Sequence, residues 1–177
     1  MWRNIIFICI SILVLVLVNE FLQGILRQKD RQIIFKQAQL RAKELKKPLL
    51  VYGDPYYGKG SRFFNMFMNS YECGDETVDL TGSPTCKNGI KSDMLKHLKT
   101  KQSNSQVIFV SCVLEYLDDI EEVIKEMGRV AGSVDNIFIV TVSEYTIAAY
   151  LYQEDNYSAK NLIYAPPNFK DLTYKKL

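Results

Sequence analysis

The sequence predicts an α/β domain carried behind an N-terminal transmembrane helix. Two patterns predict it. The first is an uncharged stretch from Asn4 to Asn19, in which Ile5 to Val18 is almost wholly Ile, Leu, Val and Phe. The second begins at Pro48, where short apolar segments of strand length alternate with segments of helical periodicity. That alternation is the signature of a layered sheet with crossover helices. The composition, 47% hydrophobic and 24% charged over 177 residues, is that of a globular chain with room for one domain and an appendage. No internal repeat or low-complexity tract interrupts it.

Taken as a helix, the apolar run is about 24 Å long at roughly 1.5 Å per residue, and Trp2 and Phe21-Leu22 lengthen it toward bilayer thickness. A cleaved signal peptide calls for a basic leading region and a small-residue cleavage site. Only Arg3 precedes the run and no Ala-x-Ala follows it. The expectation is an uncleaved anchor over residues 1–26, meeting the lipid bilayer through residues 5–26. A buried core helix is disfavoured because the run is apolar on every face.

Residues 27–47 hold eight Lys/Arg against two Asp/Glu and read as a basic juxtamembrane helix, with Leu22, Ile25, Leu26, Ile33, Ile34, Leu40 and Leu45 at roughly helical spacing and Pro48 as the stop. Two readings stay open. One is a continuous stalk leading out of the bilayer. The other is an amphipathic helix lying on the membrane, its Lys/Arg on anionic lipid head groups. Because positive flanks stay on the cytoplasmic side, a single-pass membrane protein with its main domain in the cytosol is expected. A disulfide framework among Cys9, Cys73, Cys86 and Cys112 is not expected in that compartment. Beyond Lys47 the chain is net acidic, which excludes a broad basic nucleic-acid footprint, and no nucleic-acid partner is expected.

Residues 48–177 form the α/β domain. Strands are predicted at 48–53, 76–80, 106–111 and 136–142, and helices at 61–70, 94–101, 120–130 and 143–152. Residues 161–165 and 172–176 are predicted as a terminal antiparallel pair, with Pro166-Pro167 in the turn.

Four motifs sit at strand ends. Val51-Tyr52-Gly53-Asp54-Pro55-Tyr56-Tyr57-Gly58-Lys59-Gly60 follows the first strand. Small residues there let a ligand approach the backbone at a helix start, although such a sequence is also a common turn. It lacks the G-x4-G-K-[ST] spacing of a phosphate-binding loop. Thr77-Val78-Asp79-Leu80 ends a strand on an acid, the position that meets ribose hydroxyls in dinucleotide-binding sheets. Its alternative role is a cap for the turn at Thr81-Gly82-Ser83-Pro84. Lys91-Ser92-Asp93-Met94 opens a helix, so Asp93 is either a ligand contact or an N-cap. The fourth motif, Gln106 to Gly132, is an apolar strand ending in Ser-Cys-Val-Leu-Glu-Tyr-Leu, then paired aspartates, then a helix closing on Met-Gly-Arg-Val.

In order and spacing these motifs resemble the class I S-adenosylmethionine-dependent methyltransferases. Gln106–Gly132 is similar to that family's fourth strand and following helix, "VLEH(L/V)xD" and "ExxRVLKPGG". The first motif is similar to "hhDhGxGxG" aligned on Asp54, with Gly58 and Gly60 in the second and third glycine positions. Val78-Asp79-Leu80-Thr81 resembles "VDxS", and the segment ending in Asp93 resembles "xxGDh". The resemblance implies a Rossmann-like methyltransferase sheet with helices on both faces and S-adenosylmethionine as cofactor. It also implies a binding site built from Gly53, Asp54, Gly58, Gly60, Asp79, Asp93 and Cys112, with no catalytic residue named. The chain departs from the family at Tyr56, which stands where the first glycine belongs, and at Leu114-Glu115-Tyr116, which lacks the histidine.

These departures imply degenerate activity and a structural or assembly role with protein partners. An anchored, small methyltransferase-like domain is similar to membrane-anchored methyltransferase-like proteins of large DNA viruses, which implies a virion membrane or capsid location. The alternative is an active methyltransferase acting on a membrane-proximal substrate. Other constellations are weaker. Cys73, Cys86 and His97 lack the paired spacing of a zinc site, so no metal is expected. His97 lies among lysines and reads as a solvated face, and Asp118-Asp119 with Glu121-Glu122 read as the acidic start of a helix.

Overall fold

The computed structural model describes residues 2–55, 71–117, 119–141 and the strand residues 153–154, 157–158, 163–164 and 175–176. The chain opens with one helix, α1 (Trp2–Leu45), 44 residues and therefore about 66 Å long. It leads into a five-stranded parallel sheet in the order β3-β2-β1-β4-β5. The strands are β1 (Leu49–Tyr52), β2 (Glu76–Asp79), β3 (Gly89–Lys91), β4 (Val107–Ser111) and β5 (Ile137–Val140). Helix α2 (Met94–Lys99) joins β3 to β4, and α3 (Ile120–Ala131) joins β4 to β5. Two short antiparallel pairs follow, β6 (Gln153–Glu154) with β7 (Tyr157–Ser158) and β8 (Ile163–Tyr164) with β9 (Lys175–Lys176). The helices expected at 61–70 and 143–152 and the Pro166-Pro167 turn lie outside the described residues.

The central strands are apolar at nearly every position because both faces of the sheet are covered. Leu50, Tyr52, Ile108, Val110, Ile137 and Ile139 pack against Met94, Leu98, Val123 and Met127 of α2 and α3. The alternate residues Leu49, Val51, Val107, Phe109, Phe138 and Val140 pack against Ile34, Phe35, Ala38 and Ala42 of α1. Helices therefore lie on both faces.

Residues 27–47 are neither a free stalk nor a surface-lying helix. The inward stripe of α1 is Gly24, Gln28, Arg31, Phe35, Ala38 and Ala42, spaced alternately four and three apart, with Ile34 beside it. Leu26, Ile33 and Leu40, which set the apparent apolar periodicity, are 52–59% exposed. The packed face is small and polar because the helix lies close on a sheet that already supplies the large apolar side chains. Toward the N-terminus the same helix leaves the domain. Its side chains from Ile5 to Val18 are largely exposed, and α1 is long and apolar enough to cross a membrane.

β3 is a further difference. Its three residues, Gly89-Ile90-Lys91, offer one apolar side chain and no alternation, but Ile90 pairs with Val78 and Lys91 with Asp79. The cysteines also depart from expectation. Cys73 and Cys86 form a disulfide with Cα atoms 5.7 Å apart. Parallel pairing of β2 with β3 draws together the loops that precede them, and Thr77 donates its N–H to the Asn88 carbonyl at 3.2 Å. Cys9 and Cys112 are free.

Candidate functional site

The strand order reverses between β1 and β4, since β2 and β3 lie on one side of β1 and β4 and β5 on the other. Ligands of open parallel sheets bind at the carboxyl edge beside such a reversal. In this chain the register sets Tyr52 opposite both Val78 and Val110, which brings Gly53, Asp79 and Ser111 to one level.

The backbone at this edge is unusual at two adjacent strand ends. Gly53 has φ +98° and Cys112 has φ +51°. For Gly53 the reason is close approach as well as turn geometry. A Cβ there would stand 2.8 Å from the Ser111 carbonyl oxygen and 3.4 Å from the Tyr71 hydroxyl. Cys112 holds the left-handed conformation without the freedom of glycine, at a cost on the order of 1–2 kcal/mol. Its N–H bonds the Val140 carbonyl at 2.8 Å, and its Sγ accepts a hydrogen bond from the Arg31 guanidinium at 3.1 Å.

Asp54 and Asp79 are joined through the backbone. Asp54 is buried, its N–H donates to Asp79 Oδ2 at 3.2 Å, and Thr85 Oγ1 donates to its Oδ1 at 3.5 Å. Asp79 Oδ1 accepts from the N–H of Thr81 at 2.8 Å and from its hydroxyl at 2.7 Å. The carboxylate thus braces the turn after β2. Asp93 caps α2: its Oδ1 accepts the Lys96 N–H at 2.9 Å. Its segment still borders Asp79, whose carbonyl accepts the Ser92 N–H at 3.2 Å. The structure therefore brings Gly53, Asp54, Asp79, Asp93 and Cys112 to one edge. Gly58 and Gly60 lie outside the described residues.

Two residues that sequence reasoning missed close this edge on the α1 side. Arg31, buried in α1, also lies over the Tyr71 ring at 5.8 Å, and Tyr71 packs on Phe109 and Phe35 with ring centroids 5.1 and 5.9 Å apart. Burial pushes the Tyr71 phenol well above its usual range, and the Arg31 charge opposes that rise. No local pattern marks these contacts, because Arg31 and Cys112 are 81 positions apart.

Below the edge, His97 is not a solvated side chain. Its Nδ1 is 3.0 Å from the Tyr52 hydroxyl and its Nε2 is 3.3 Å from Glu76, which also holds Lys101 at 2.5 Å. Burial, then the Lys101 charge, push the imidazole below its usual range, while Glu76 opposes them. Met94, His97 and Leu98 form the inner face of α2, a spacing that was available in the sequence.

The Gln106–Gly132 motif is largely scaffold. Arg129 pairs with Glu126 at 2.7 Å and donates to the carbonyls of Leu98 and Lys101 at 3.0 and 2.9 Å, tying α3 to the end of α2. Gly132 ends α3 in the left-handed conformation, φ +74°. Among the described residues no group of three His, Cys, Asp or Glu side chains is placed to hold a metal ion, and Cys73 and Cys86 are engaged with each other.

Comparison of the chain with protein-family models, with curated proteins and with solved structures finds no match.

Proposed function

We propose that this chain is a membrane-anchored, methyltransferase-like α/β protein that acts as a structural or assembly component and has lost catalysis. The observation that carries the reading is the internal engagement of the candidate site. Asp79 Oδ1 is taken up by Thr81, Asp93 by the first turn of α2, and the Gly53–Cys112 mouth is lined by Arg31 and Tyr71. The carboxylate that would meet the ribose already braces a turn through Oδ1, and Arg31 and Tyr71 border the place where a methionine moiety would pass, which supports the non-catalytic reading. Tyr56, in the position of the family's first glycine, points the same way. The apolar run of α1 would cross the bilayer, the flanking Lys/Arg would meet anionic head groups and hold the domain on the cytosolic side, and protein partners would complete the assembly, a virion membrane or capsid being the setting the resemblance suggests.

One observation favours the second reading, an active S-adenosylmethionine-dependent methyltransferase with a membrane-proximal substrate. The sheet order and the gathering of Gly53, Asp54, Asp79, Asp93 and Cys112 at one carboxyl edge support this reading, because ligands of open parallel sheets bind at such an edge. Methyl transfer demands alignment and exclusion of water more than a strong base. Calorimetry of the full chain in detergent micelles with S-adenosylmethionine separates the two. Absence of heat at millimolar ligand is the expected result. Tight binding that Asp79→Ala abolishes would overturn the non-catalytic reading.

A further inference from the structure

We propose that the carboxyl edge of the sheet faces the membrane just above its head groups and that the surface it meets is an anionic phospholipid head-group layer. This rests on the reading of α1 as a membrane anchor and adds an orientation to it. The direction follows from three contacts. Arg31 of α1 touches Cys112, just beyond the end of β4. Ten residues further along the helix, Arg41 donates to Asn136, just before β5 begins, at 2.9 Å. Lys47 then donates to Asn104, ahead of β4, at 2.6 Å. Helix α1 therefore runs antiparallel to the strands, and its apolar N-terminal half emerges on the side of the carboxyl edge.

Distance places that edge close to the lipid. Arg31 is nine residues beyond Leu22, or about 14 Å of helix, and a head-group layer is itself roughly 5–8 Å thick, which leaves only roughly 6–9 Å between Arg31 and the head groups. The helix has no break in which the domain could turn away, because its described span is continuous from Trp2 to Leu45. The surface chemistry agrees. Among the described residues, the one large apolar side chain prominently exposed outside α1 is Leu80, 43% accessible, directly after β2 on this edge. Arg27 and Lys29 follow the apolar run on α1 and exposed Lys91 ends β3 on the carboxyl edge, where the carboxylates of Asp79 and Asp93 are turned to a backbone turn and a helix cap. That combination suits an anionic interface.

The test is depth measurement on the full chain with Cys9→Ser and Cys112→Ser, reconstituted in vesicles of three parts phosphatidylcholine to one part phosphatidylglycerol. A fluorophore is attached at Leu80→Cys or Lys91→Cys on the carboxyl edge, and at Gln102→Cys or Ser103→Cys on the amino edge. Quenching by a head-group nitroxide lipid is expected to be at least twofold stronger at both carboxyl-edge positions. Equal or reversed quenching overturns the orientation. Flotation of the same vesicles is scored first: protein that does not float with them sinks the anchor reading itself, whereas protein that floats without the quenching difference sinks this inference alone. Omitting phosphatidylglycerol should at least halve the difference, and an unchanged difference overturns the anionic preference.

Discussion

Truncating Phe35 to alanine should destabilise the α/β domain far more than truncating Leu40, although a hydrophobic-periodicity reading ranks them the other way. Phe35 is 4% exposed, and its ring meets Phe109 edge-on at 5.1 Å and Tyr71 at 5.9 Å. Removing a buried phenylalanine ring costs about 3–5 kcal/mol, which includes roughly 0.5–1.5 kcal/mol for each aromatic pair. Leu40 is 59% exposed on the outer face of α1. Surface changes of that kind stay within about 0.5 kcal/mol. Thermal unfolding of the full chain in detergent micelles, followed by tyrosine near-ultraviolet circular dichroism, reads the difference. At about 2–4 °C per kcal/mol for a chain of this size, Phe35→Ala should lower the midpoint by roughly 6–20 °C and Leu40→Ala by less than about 2 °C. Phe35→Leu, which keeps bulk and loses the ring contacts, should fall between them. If Phe35→Ala and Leu40→Ala shift the midpoint equally, residues 27–47 are a stalk outside the core and the packing of α1 on β4 and β5 is wrong.

Acid should weaken the domain through His97. Its folded-state pKa lies below the unfolded value of about 6.5, so the unfolded state binds the extra proton first. Stability is complete above that pH and is lost as pH falls below it; the urea midpoint should drop between pH 7.5 and 5.5, and His97→Phe should flatten that drop. Gly53→Ala should cost about 1–3 kcal/mol, because alanine at φ +98° is strained and its Cβ meets the Ser111 carbonyl; an unchanged denaturation midpoint would refute the close approach. Replacing both Cys73 and Cys86 by serine should lower stability by about 3 kcal/mol under oxidising conditions, from loop-closure entropy across a separation of 13 residues, and leave the reduced protein unaffected. An impermeant maleimide should label Ser103→Cys in cells only after permeabilisation if the domain is cytosolic. Labelling of intact cells would reverse the orientation and place the Cys73–Cys86 bond in an oxidising compartment.

The parts of the fold legible in the sequence are those where local pattern and tertiary role coincide. β4 reads as an apolar run because both its faces are covered, and α3 reads as a helix because Ile120, Val123, Met127 and Val130 face the core at helical spacing. Pattern failed where an element packs with few large apolar side chains. The inner stripe of α1 is glycine, glutamine, arginine and alanine around one phenylalanine, and β3 is an edge strand of three residues. The disulfide was obscured by a compartment argument that outweighed the spatial neighbourhood of Cys73 and Cys86. At the candidate site, Gly53, Asp54, Asp79 and Cys112 share one edge because parallel register alone aligns strand ends. That register could not say what those groups bond to. Asp93 and Asp79 proved to serve caps and turns, roles for which the same residue types are suited.

Helix α1 ties these observations to one physical consequence. A flexible linker would let an anchored domain sample many orientations, and the sheet's carboxyl edge would meet the bilayer only occasionally. Here the apolar half of the helix continues without a break into the half that packs on β4 and β5, and Arg31 of that half bonds Cys112 at the sheet edge. Bending the domain away from the apolar half of α1 would require breaking helical hydrogen bonds, or undocking Phe35 and Ala38 from the sheet. The second route carries the burial cost that Phe35→Ala measures. The orientation of the domain relative to the apolar half of α1 is therefore as strong as the packing of α1, and pulling Arg31 away from Cys112 must also loosen the contact between helix and sheet.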